Sequence, residues 1–439
     1  MRIPVFFVML ICSARLLAQP VIKEAPCNAS LLPIVFVHGF LGSGDNWALQ
    51  LQRFSNNGYC QQRLFLFDWN TINRSKTTDS LLNVFIDQVL TITNAKQVQL
   101  VGHSAGGGLC YNYLSNHLHA VKVASYVHIG SSKMNGPAGP AANLPTMNIY
   151  SKADSIVRNG GDIPGAENIV LQQADHMQVA TSEETFFHLY RFFNNGQNPK
   201  SSNIQGSSQT KRPILISGKG VTLGENKPLT ADSFRVFVYD PATGKRKPLK
   251  KRGTTDDALQ GWTTFGEKGE FSVAGVAGEA LEFEVKAMGG RKLYYFFEPF
   301  SATNTAVYLR TFPTTGMVAG ILNQVPRNNT QTACVIFSSN QAVIAGRDTL
   351  AIDSLVLSTP QLATAGKTMI AAFVFDDGDQ TTTGKPLKSF GSFPFLGSAD
   401  IHIPADAKGT MRVFYNGRFM VLPRRPSADG VVIAVFHTP

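Results

Sequence analysis

Cysteine, tryptophan and acidic side chains are all scarce in this chain. Five cysteines and three tryptophans are spread over 439 residues, and 30 Asp and Glu face 40 Lys and Arg, for a formal net charge of +10. Neither a Cys-x-x-Cys pair nor a Cys/His set at zinc spacing occurs, which excludes a thioredoxin-like redox centre and the common zinc folds. No cofactor and no metal is expected. An apolar run long enough to span a bilayer is also missing, because the run Ile3 to Ile11 is too short.

That short run has another reading. Arg2 precedes it and Leu16-Leu17-Ala18 follows it, the layout of a cleaved export signal over residues 1–18. The expected location is therefore secreted, with no transmembrane segment. Cys12 would leave with the signal, and an oxidising compartment favours a disulfide between Cys27 and Cys60. Cys110 reads as a small buried side chain.

Most of the positive charge lies after residue 200, much of it in Lys245-Arg246-Lys247-Pro248-Leu249-Lys250-Lys251-Arg252. A basic excess suits nucleic acid, but no stacking aromatics interleave with this stretch. It reads as a solvated loop after a hairpin turn, and no nucleic-acid partner is expected. Asp376-Asp377-Gly378-Asp379 resembles half of a calcium loop without the terminal Glu, and reads as a solvated turn.

Up to residue 193, short apolar runs alternate with amphipathic helical patterns. Leu32 to His38, Arg63 to Asp68, Val98 to Val101, Val121 to Ile129, Thr146 to Tyr150 and Asn168 to Leu171 suit strands of a parallel sheet covered on both faces. Residues 199–212 are rich in Asn, Ser and Gly and read as a linker. Beyond them the helical pattern vanishes and alternating runs between Gly- and Pro-marked turns predict an all-β sandwich or barrel. Phe237-Val238-Tyr239-Asp240 is echoed by Phe373-Val374-Phe375-Asp376, which suggests two related β units, about 213–328 and 331–439. The expected plan is an α/β domain over 19–198, a linker, and a β region over 213–439.

The chemistry centres on Gly102-His103-Ser104-Ala105-Gly106, between a predicted strand and a predicted helix. Such an elbow lifts a serine hydroxyl out of the sheet, and the flanking glycines leave room for the turn. A serine hydroxyl needs a base oriented by a carboxylate. Asp154 and His176 each follow a predicted strand, in the order Ser, Asp, His. Asp162 and Asp175 are rivals for the carboxylate. The oxyanion donors would be the backbone N–H groups of Ala105 and of Phe40, the latter in His38-Gly39-Phe40-Leu41-Gly42. Leu41, Trp47, Met134 and Met177 are candidates for an acyl pocket, with ordinary core as the other reading. The remaining histidines, His38, His103 and His128 among them, read as structural.

Taken together, Val37-His38-Gly39-Phe40, the Ser104 elbow, Ile149 to Asp154 and Ala174-Asp175-His176 resemble the small secreted bacterial lipases of the α/β-hydrolase superfamily. The resemblance covers residues from about 30 to 195. It implies esterase or triacylglycerol lipase activity with Ser104 as nucleophile, His176 as acid and base, and Asp154 as its orienter. The whole plan is similar to two-part archaeal and bacterial lipases with a C-terminal β-barrel. One departure is Ala105, where minimal lipases often carry Met. Too few residues separate Ile129 from Asp154 for a large hinged lid. The partner implied is a lipid or ester substrate. A polyester depolymerase, or another hydrolase on the same triad with the β region as a binding module, is the alternative.

Overall fold

A computed structural model describes residues 27–75, 77–204, 211–249, 261–287, 291–391 and 393–438. The export signal expected at 1–18 lies outside these residues. Six strands form one fully parallel sheet: β1 (Ile34–Val37), β2 (Leu64–Phe67), β3 (Val98–His103), β4 (Val123–Ile129), β5 (Thr146–Ser151) and β6 (Glu167–Leu171), in the order β2-β1-β3-β4-β5-β6. The connecting helices are α1 (Ala48–Asn56), α2 (Thr78–Thr93), α3 (Ala105–Leu114), α4 (His117–Ala120), α5 (Gln178–Thr181) and α6 (Glu183–Phe193). Helices cover both faces, so β1 and β3 are buried throughout. Their continuous apolar runs follow from that.

The chain leaves β1 toward β2 on one side and toward β3 on the other. This reversal opens a crevice beyond the carboxyl ends of β1 and β3, where open α/β sheets bind their ligands. The loop His38–Ser43 and the Ser104 elbow both lie there.

Each strand of the β region has its own side-chain logic. The runs Lys292–Phe297 and Gly430–Phe436 are apolar on both faces because their sheet is covered on both faces. Leu293, Tyr295 and Phe297 enter one core with Ile216, Phe271 and Leu309, whereas Tyr294 and Phe296 enter another with Val413 and Leu422. The Tyr294–Phe297 aromatics are thus core. Strands from both sides of residue 330 share this nine-stranded mixed sheet, and Gly430–Phe436 pairs in parallel with both Lys292–Phe297 and Cys334–Ser338. An α-helix, Gly316–Leu322, interrupts the β region.

The described part of the expected linker, residues 199–204, is strapped to α1. Asn57 accepts from the Lys200 N–H at 2.6 Å, and Arg53 donates to the Ser202 carbonyl at 3.0 Å. Arg246 corrects the reading of the basic stretch as wholly solvated. It pairs with the buried Glu282 and Glu284 at 2.7 Å each and lies over the Phe237 ring. Residues 250–252 of that stretch lie outside the described residues.

Cys27 and Cys60 form a disulfide with a Cα–Cα distance of 5.1 Å, closing 33 residues of sequence separation that include β1 and α1. A loop of that size restricts the unfolded chain by about 3–4 kcal/mol in the chain-entropy account. Replacing Cys60 by Ser should lower the denaturation midpoint without changing the far-ultraviolet circular dichroism. The check is equilibrium unfolding of the variant and the parent in parallel.

Candidate active site

Ser104 closes β3 and caps α3 with φ 54° and ψ −122°, a conformation that few non-glycine residues adopt. The strain is held by surrounding packing. A methyl on Gly106 would come within 2.4 Å of the His38 carbonyl oxygen, so glycine there lets α3 close against the end of β1. A methyl on Gly39 would meet the Ser104 Cβ at 2.9 Å, which puts the loop after β1 directly beside the serine. The Ser131 hydroxyl donates to the Ser104 carbonyl at 2.9 Å and braces the elbow from β4.

His176 follows β6 by five residues and is 1% exposed. Its Nδ1–H donates to Asp154 Oδ2 at 2.7 Å. The other oxygen of Asp154 accepts the N–H groups of Ile156 and Val157 at 2.8 and 3.0 Å. Burial pushes the Asp154 carboxyl up, but the hydrogen bond and charge of His176 and those two N–H groups outweigh it and hold the group below its ordinary value. Asp154 is therefore an anion at neutral pH, and it fixes the histidine ring through Nδ1.

The rival carboxylates are used elsewhere. Asp162 accepts from the Tyr150 hydroxyl at 2.9 Å. Asp175 turns away from the histidine ring: one oxygen caps the turn into α5 through the N–H groups of Met177 and Gln178, and the other accepts from Arg347 at 2.8 Å and the Ala342 N–H at 3.1 Å.

His103 links the elbow to the histidine loop. Its Nε2–H donates to the His176 carbonyl at 2.9 Å, with the two rings 4.7 Å apart. Burial, and then the neighbouring His176, lower its pKa to about 3. Burial likewise lowers His128 to about 4 and lowers His38. His38 donates through Nδ1 to the Gly39 carbonyl at 2.9 Å.

Among the described residues, neither the Phe40 N–H nor the Ala105 N–H has an acceptor. The first is on the loop beside Ser104, and the second is on the first residue of α3. Two backbone donors without internal partners beside a strained serine form an anion-binding corner.

A small cavity of about 10 Å³ lies beside this corner, lined by Gly39, Phe40, His103, His176 and Met177, and by Ile370 and Phe395 from the β region. The Phe395 ring stacks on His176 at 5.8 Å. Next to it is a larger cavity of about 60 Å³ between the two regions, which shares Gly42, Asn46, Met177 and Ile370 with the first. Leu41 lines the larger cavity and Met177 lines both. Trp47 does not line either cavity. Its ring is fully buried under β1, 5.1 Å from Phe36, because the short helical turn Gly44–Trp47 points it into the core. Met134 is half-buried and likewise lines neither cavity. The Ala105 methyl packs into the core around Val35 and Leu109 and does not form a pocket floor.

Ile370, Phe395, Arg347 and Asn226, all from the β region, had no signal in the sequence, since nothing local marks a contact made across 150 residues or more. Asp377, Gly378 and Asp379 are exposed, but Asp376 corrects the solvated-turn reading, and Asp400 lies against it. Both are buried, and with Asp377 they bring three carboxylate oxygens within 4.8 Å of one another. Gly378 and Gln380 N–H groups and the Gln331 amide all point at Asp376 Oδ2.

Residues 33–178 match the family model of the alpha/beta hydrolase fold, and residues 320–432 match a second family model described as a C-terminal domain. Among solved structures, the chain is similar to the mature lipase BlEst2 of Bacillus licheniformis, at 17% identity over 39% of this chain and 96% of that one, with a TM-score of 0.31. It is also similar to the esterase EaEST of Exiguobacterium antarcticum, at 16% identity, 37% and 92% coverage and a TM-score of 0.30. A third likeness is to the meta-cleavage product hydrolase CumD of Pseudomonas fluorescens, at 15% identity, 38% and 92% coverage and a TM-score of 0.29. The first region has the α/β-hydrolase fold, and a β-rich region follows it.

His38, His103, His128 and His437, all held below their ordinary pKa by burial, set the direction of the acid response. Below about pH 6.5 the unfolded chain takes up protons that the folded chain refuses, so stability falls as pH falls. Unfolding midpoints measured from pH 7 to 4.5 should decline steadily, and His128→Gln should reduce the slope by about one proton.

Proposed function

We propose that the protein is a serine carboxylic-ester hydrolase acting through Ser104, His176 and Asp154. The observation that carries this reading is the buried Asp154–His176 hydrogen bond beside a strained serine with two unpaired N–H donors next to it. Ser104 Oγ attacks the ester carbonyl carbon while His176 Nε2 takes its proton. Asp154 stabilises the imidazolium that forms. The new oxyanion accepts from the Phe40 and Ala105 N–H groups. When the carbon–oxygen bond to the alcohol breaks, the alcohol takes the proton from Nε2. Water then repeats the sequence on the acyl-enzyme, releasing the acid and restoring Ser104.

The paired cavities favour a lipid ester over a polymer. Ile370 and Phe395 set apolar side chains beside His176, which suits the acyl part of a lipid ester. An acyl chain would continue past Met177 into the larger cavity, among Leu41, Leu223, Phe297 and Phe300. The Cys27–Cys60 disulfide supports an oxidising, extracytoplasmic location. No helix among the described residues is long and apolar enough to cross a membrane.

A series of p-nitrophenyl esters from acetate to palmitate tests the reading. KM should fall stepwise with chain length, since each methylene that enters an apolar cavity contributes up to ~0.8 kcal/mol, until the cavity is full. Ser104→Ala should lose at least about 10⁴-fold in kcat on every ester, with little change in unfolding temperature. A folded wild-type protein inactive on all of them would contradict the reading.

A further inference from the structure

The turn that follows Pro213–Thr222 belongs to the β region by sequence, yet it lies against the loop after β1. Asn226 is at its tip, 7% exposed, with φ 54°. Its amide nitrogen donates to the carbonyls of Gly42 and Trp69, each at 2.9 Å, and lies 3.4 Å from His38 Nε2. Its carbonyl oxygen accepts the Ser43 hydroxyl at 2.7 Å. One carboxamide therefore grips the start and the end of the loop His38–Ser43, together with the segment after β2.

The same turn fixes the middle of that loop through Thr71. The Gly224 carbonyl accepts from the Thr71 N–H at 3.0 Å and from its hydroxyl at 2.8 Å. The Thr71 oxygen in turn accepts the Leu41 N–H at 3.0 Å. Between these anchors is Phe40, whose own N–H has no acceptor among the described residues.

We propose that Asn226 is a positioning residue for the oxyanion loop, supplied by the β region to aim the Phe40 N–H at the developing charge. The proposal rests on the ester-hydrolase reading above. The loop has intrinsic reasons to wander: it holds two glycines, and Leu41 takes φ 58°. A donor must be placed within a fraction of an ångström of the oxyanion, and misplacement by about 1 Å can cost about 10²-fold. Asparagine suits the position because it tolerates left-handed backbone and offers two donors and an acceptor in one rigid plane. Aspartate would present only acceptors to the carbonyls of Gly42 and Trp69.

Asn226→Gly in the full chain separates the two duties, since glycine keeps the turn conformation and removes the carboxamide. With a short p-nitrophenyl ester, kcat should fall about 10- to 100-fold while KM changes less than about twofold. The affinity of a trifluoromethyl ketone, which forms a tetrahedral oxyanion adduct with Ser104, should weaken by the same factor as kcat/KM. Thr71→Val, which removes the second anchor from within the first region, should act in the same direction and decides the question if Asn226→Gly does not fold. Unchanged kcat and ketone affinity, with only a lower unfolding temperature, would mean that Asn226 merely joins the two regions and would overturn the proposal. A wild-type protein without esterase activity would instead overturn the reading on which the proposal rests.

Discussion

Asp154 keeps its charge in a place almost closed to water, and the arrangement of the site follows from that constraint. A buried carboxylate is costly unless hydrogen bonds satisfy it. Here His176 and two backbone N–H groups do so, and they draw the loops after β5 and β6 together. The histidine so oriented is tied through its own carbonyl to His103, one residue before Ser104. Strand β3, the elbow and the histidine loop thus form one connected polar unit.

Water is kept away from this unit by the β region. Phe395 stacks on His176, Phe40 packs beside Phe393, and Leu41 sits in a core made mostly of β-region side chains. Several polar contacts across the boundary fall on or beside the same two loops. Asn226 and the Gly224 carbonyl hold the loop after β1, while Arg347, the Ala342 N–H and the Asn340 carbonyl hold Asp175 and Thr181 on either side of Met177. Asp68 adds a further anchor, accepting from Lys219 at 2.6 Å and Tyr308 at 2.8 Å. Hydrogen bonds in such a dry setting are strong and directional. In the proposed reaction the β region acts by rigidity and exclusion of water.

Some of this organisation is legible in the chain and some is not. The alternation of strands and helices, the glycine-flanked elbow and the order Ser104, Asp154, His176 are local patterns with local causes. Each residue lies within five residues of the carboxyl end of a strand, and parallel strands bring such positions to one edge. The cavity walls are another matter. Trp47 and Met134 are apolar and close in sequence to the motifs, but the side chain of one turns inward and the other lies away from both cavities. The walls come instead from Ile370 and Phe395, some two hundred residues downstream of the histidine. Burial of charge also misleads a linear reading: Arg246 and Asp376 stand in charged, turn-like stretches, yet one is locked to two buried glutamates and the other is itself buried. Those outcomes depend on which sheets stack, which no window of sequence contains.

The account stands on Ser104 being the nucleophile that His176 and Asp154 activate. The most direct measurement is intact-mass and peptide analysis after exposure to a diethyl p-nitrophenyl phosphate ester. One diethylphosphoryl group should appear, on the peptide that carries Ser104, and its rate of attachment should collapse in His176→Asn while that variant stays folded. A protein that hydrolyses esters yet takes no label, or carries the label on another residue, would contradict the account.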